Sequence, residues 1–160
     1  MKCIKSSLLL MFFVLFISCD SDDGNDDMMQ EQFTAADAVM LQSVANTGNW
    51  RITSFVEDNE DITSFFEGFS LTFNNDGALV IQNDALSLNG TWRIDYDDDD
   101  DDNDVDDLEF ELSISAASND LPEELDELTD DWYVISYTDN RIVLSDDEDG
   151  NEDQLILERN

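Results

Sequence analysis

Leu86-Ser87-Leu88-Asn89-Gly90-Thr91-Trp92-Arg93-Ile94-Asp95-Tyr96 sets apolar or small residues at every second position, with a polar residue filling each place between. Successive strand side chains point to opposite faces, so this period of two puts one face in a core and the other in water. The alternation returns in Leu108, Phe110, Leu112 and Ile114 against Glu109, Glu111, Ser113 and Ser115, and again in Phe69, Leu71 and Phe73 around Ser70 and Thr72. Shorter strands are expected over Trp50 to Val56, Ala78 to Gln82, Trp132 to Thr138, Arg141 to Ser145 and Gln154 to Glu158. Asn74-Asn75-Asp76-Gly77 and Asp139-Asn140 suit the positive backbone angles of tight hairpins, so the strands follow one another in an up-and-down meander.

Eight strands leave two edges of unpaired amides unless the sheet closes on itself. Closure is the expected solution, giving an all-β fold whose eight-stranded antiparallel barrel occupies residues 48–159. Two helices interrupt the pattern. Residues 34–46 run through Ala35, Ala36, Ala38, Val39, Leu41 and Ala45 toward Gly48, with Thr34 three residues before Asp37 as in a capping box. Leu121 to Leu128 forms a second, short helix before the late strands: Pro122 fits its first turn, Glu123 and Glu124 suit its positive end, and Leu121, Leu125 and Leu128 share a face.

Upstream of the barrel the chain changes character. Lys2 and Lys5 precede an uncharged run from Leu8 to Ile17, too short to span a bilayer, which reads as a signal peptide over residues 1–18. The run ends in Phe16-Ile17-Ser18-Cys19. It resembles a lipobox, with phenylalanine where leucine is commonest, and implies cleavage before Cys19 and attachment of lipid to its sulfur. The segment 19–33 continues as Asp20-Ser21-Asp22-Asp23-Gly24-Asn25-Asp26-Asp27, which offers nothing to bury and is expected to be a disordered tether to the folded domain, 34–160. It also resembles the short acidic export signals of surface-displayed lipoproteins in some Gram-negative bacteria, implying an outer-membrane, surface-exposed location.

Charge excludes whole classes of function. The full chain carries 41 acidic against 6 basic residues, no histidine and a formal charge of -35. Removing the leader takes both lysines and leaves Arg51, Arg93, Arg141 and Arg159, a formal charge near -37 from 4 arginines set against 41 carboxylates. Nucleic acid is excluded as a partner, since phosphate binding needs clustered cations. The same repulsion means that membrane attachment rests on the lipid, and a monomer is expected. With Cys3 removed and Cys19 acylated, no disulfide can form.

Gly48-Asn49-Trp50 opening the first strand, Phe73-Asn74-Asn75-Asp76-Gly77 ending a hairpin, and Gly90-Thr91-Trp92-Arg93-Ile94 on a long strand together look like the lipocalin-like domains of bacterial surface lipoproteins. The similarity spans roughly Gly48 to Arg159, and the acidic insertions and second helix depart from the compact pattern. It implies that Trp50 packs near the barrel base beneath a late arginine, either Arg159 or Arg141, and that a small apolar or amphipathic ligand occupies the barrel.

Catalysis finds little support. Without histidine or lysine the serines have no ordinary base, and zinc lacks its usual ligands. Neither a cofactor nor catalytic residues are assigned. The acidic runs at Asp97 to Asp107 and Asp146-Asp147-Glu148-Asp149-Gly150 do not follow the EF-hand order, because Ser145 and Ile156 stand where ligands belong. They are expected to bind calcium weakly and diffusely, so no metal residue is assigned. The leading expectation is therefore a non-enzymatic, ligand-binding lipoprotein. A filled structural or adhesive module with acidic loops is the alternative, and a carboxylate-dependent enzyme ranks third.

Overall fold

A computed structural model describes residues 33–97, 107–115, 121–147, 150 and 153–160. The signal segment, Cys19, the acidic run that follows it and the centre of the Asp97–Asp107 turn lie outside the described residues. Helix α1 (Ala35–Ala45) precedes β1 (Trp50–Glu57), β2 (Glu60–Asp61), a 3-10 turn (Thr63–Phe66), β3 (Ser70–Phe73), β4 (Ala78–Gln82), β5 (Ser87–Asp97) and β6 (Asp107–Ile114). After these come α2 (Glu123–Asp126), β7 (Asp130–Thr138), β8 (Arg141–Ser145) and β9 (Gln154–Arg159).

Consecutive long strands pair antiparallel from β3 to β9, and β1 closes the ring by pairing with both β9 and β3. This is the closed eight-strand antiparallel barrel that the alternation predicts. The ninth strand, β2, was not expected: two residues long, it turns back onto the end of β1 through Asp58 and Asn59, whose φ angles of 49° and 64° fit a type I′ hairpin. The other Asp-Asn turn behaves differently. Asp139 and Asn140 keep negative φ, and the Thr138 hydroxyl bonds the Asn140 side chain and amide instead.

Two bulges aim side chains inward. In β1, Ile52 faces Leu157 while Ser54 faces Ile156, so Thr53 is an extra residue that shifts the phase and brings Phe55 to the same face as Trp50 and Ile52. In β7, Ile135 is the extra residue, and Tyr137 joins Val134 on the inner side. Gly90 marks the closest approach of strands, since a Cβ there would overlap the Ser113 carbonyl of β6.

The core is one continuous cluster running from Leu41 of α1 through the inner face of every long strand to Leu157. Trp50, Phe55, Leu71, Phe110, Leu155 and Leu157 are each 0% exposed, so no water-sized void touches them. Phe73, Trp92 and Phe110 form an aromatic triad with ring centres 5.2–5.6 Å apart. In α2 the expected face is kept, with Leu125 and Leu128 buried and Leu121 half-buried against the core, although the regular helix covers only Glu123–Asp126.

Candidate functional site

The ends of the barrel are its distinctive regions. At the first end, α1 lies beside the start of β1 and the finish of β9. The Trp50 indole N–H donates to the Ala45 carbonyl at 2.9 Å, and the Arg159 guanidinium donates to the Val44 carbonyl at 3.0 Å. Both acceptors belong to the last turn of α1, whose carbonyls have no partner inside the helix and carry the negative end of its dipole. Arg159 also lies over the Trp50 ring, 5.0 Å from its centre, as a cation on a π face. Gly48, at φ +80°, leaves space along the arginine stem; a Cβ there would touch Arg159 Cδ at 3.5 Å. Trp50 and Arg159 are thus brought together. Arg141 is not part of this group: it points outward from β8, with its Nε 4.0 Å from Glu158.

The other end of α1 is pinned as well. The Asp37 carboxylate accepts from the Thr34 amide at 2.9 Å, from the Thr34 hydroxyl at 2.6 Å and from the Tyr137 hydroxyl at 2.9 Å. Hydrogen bonds from Thr34 and then Tyr137 hold Asp37 below the usual carboxylate range. Burial, followed by the Asp37 contact, pushes Tyr137 up to about 12, so its hydroxyl stays protonated as the donor. Thr34 and Asp37 were legible as a cap, whereas the Tyr137 partnership, 100 residues away, had no local signature.

β1 meets β3 only at its α1 end, through Trp50 and Leu71, and toward the opposite end its edge is covered by β2 and the 3-10 segment that follows. The Thr63 hydroxyl accepts the Phe55 amide at 2.8 Å, and the Ile62 amide donates to the Phe55 carbonyl at 2.9 Å, satisfying the edge of β1 between its short pairings with β3 and β2. This strap drives Phe66 inward. Phe66 packs 5.5 Å from Phe55, which meets Trp132 at 5.7 Å, and Phe65 and Phe69, stacked on each other, each meet Phe66 edge-on.

Around the strap the rim is acidic. Glu57 is raised to about 7, first by burial and then by Asp153, Glu127, Asp58 and Asp146. Asp153 accepts the Asp58 amide at 2.7 Å and so ties the β1–β2 hairpin to the segment before β9. The buried Ser145 hydroxyl lies 2.9 Å from both the Asp147 carboxylate and the Asp153 carbonyl, which share its one proton. Among the described residues, no group of three His, Cys, Asp or Glu side chains converges to hold a metal ion. On the wall, Arg93 pairs with Glu111 and lies 3.3 Å from Asp95.

A crystal structure of a DUF4847-family protein from Bacteroides vulgatus superposes on this chain with a TM-score of 0.50 and 14% identity, covering 75% of this chain and 97% of that one. At that identity the likeness shows the fold, a closed barrel, and nothing finer. No family model and no curated protein matches the sequence.

Proposed function

We propose that this chain is a Gram-negative envelope lipoprotein, cut before Cys19 and anchored through lipid on that cysteine, whose solid barrel is a non-catalytic surface module displaying acidic loops. The packed interior carries the reading: Trp50, Phe55, Leu71, Phe110, Leu155 and Leu157 are fully buried, which favours a filled barrel over an open ligand-binding calyx. The leader, with Lys2 and Lys5 before its apolar run, and Cys19 support the anchor. The raised proton affinity of Glu57 would suit a carboxylate enzyme, but burial and four like charges on one rim account for it without a substrate.

Intact mass of the protein extracted from membranes of a Gram-negative host tests the anchor. The expected mass is that of the chain from Cys19 plus its lipid, while Cys19→Ala yields an uncut, lipid-free precursor. A wild-type mass corresponding to a lipid-free chain overturns the reading.

A further inference from the structure

The outer side of α1 is unlike the rest of the surface. Val39 and Met40 are 69% and 52% exposed, the large apolar side chains that stand in solvent among the described residues. Residues 38–56 contain no acidic residue, the longest such stretch after the leader in a chain of 41 carboxylates. Beside it, Arg51 of β1 and Arg141 of β8 point outward and share Glu158 of β9, while Arg159 reaches α1 through Val44. Three of the four arginines therefore lie on the β8–β9–β1 sector. The paired ends of β5 and β6 lie at the same end of the barrel, opposite these arginines in the closed ring, and α1 packs against β5.

Position in the chain identifies what covers this face. Phe33, where the described domain begins, is 14 residues from Cys19, a covalent reach of at most about 50 Å. We propose that the outer face of α1 rests on the phospholipid surface that holds the anchor, with Val39 and Met40 entering the interfacial layer and the arginine-bearing sector turned to the headgroup phosphates. This rests on the lipid anchor proposed above. An amphipathic contact alone would be weak, but tethering holds the face at high local concentration beside its target.

The mature chain has no thiol besides acylated Cys19, so one introduced cysteine is a unique labelling site. Full-length Met40→Cys and, at the exposed turn before β5, Asp84→Cys are each labelled with an environment-sensitive fluorophore and reconstituted in phosphatidylethanolamine–phosphatidylcholine vesicles. Intact mass first establishes the lipid on Cys19; a lipid-free mass sinks the anchor and this proposal together. With the lipid present, the expected result is a blue-shifted Met40→Cys label, quenched by nitroxide lipids several-fold more than the Asp84→Cys label. Equal, water-like emission from both labels overturns the docking while leaving the anchor intact. A Met40→Cys signal that follows protein density in the vesicle and not lipid quencher overturns it in favour of a second copy of the chain.

Discussion

At the α1 end, the barrel is closed by groups that attract one another: an indole and a guanidinium donate to carbonyls in the last turn of a helix, and the arginine also lies on the indole. At the strap end, Phe66 fills the gap beside β1 in the midst of Glu57, Asp58, Glu127, Asp146 and Asp153, which repel one another. The charge terms add to apolar burial at the first end and oppose it at the second. The difference teaches that apolar packing and local hydrogen bonds must hold the strap end against charge repulsion, and that this end should respond to mild acid.

Trp50→Ala is expected to do the greatest damage, about 5 kcal/mol, because it empties a large buried volume and releases both α1 and Arg159. Urea unfolding measures it; a loss below about 2 kcal/mol would show that the indole is not the hub of that end. Phe66→Ala should remove about 3 kcal/mol and leave a dry cavity at the strap end that takes up a small apolar probe such as benzene, whereas wild type does not. Arg159→Met comes next, at about 1–2 kcal/mol, since it forfeits the cation–π contact and the Val44 bond. Part of that loss is offset, because the buried Arg159 Nε has no hydrogen-bond partner.

The smallest effect carries the clearest sign. The folded value of Glu57, about 7, lies above the ordinary 4.5, so the native state holds its proton more tightly than the unfolded chain does. The resulting stability is fully present below pH 4.5 and is lost as pH rises through 7. Glu57→Gln should therefore flatten the fall in stability across that window and make the protein slightly more stable than wild type above it. Unchanged slopes in thermal melts across the window would place the titration elsewhere.

The long strands were legible because β5 and β6 are wet on one side, which leaves a period of two in Leu86 to Tyr96 and Leu108 to Ile114. The bulge in β1 was also written there and passed over: Trp50, Ile52 and Phe55 slip from even to odd positions, which one extra residue restores to a single face. The strap left only the pair Phe65-Phe66 inside an acidic loop, since its role depends on the gap between β1 and β3, a long-range property. Two Asp-Asn turns show the same limit. Asp58-Asn59 takes positive φ and Asp139-Asn140 does not, because Thr138 and the Arg159 amide hold the second in another shape. The meeting of Trp50 with Arg159 was signalled only by family resemblance, as no spacing rule links residues so far apart.

The most direct test of the solid barrel is native mass spectrometry of the chain from Asp20 to Asn160, before and after extraction with organic solvent and after incubation with an envelope lipid extract. The packed core predicts the bare polypeptide mass in every case. A reproducible small-molecule adduct, lost on extraction and regained from the lipid extract, would contradict it and restore the ligand-binding calyx.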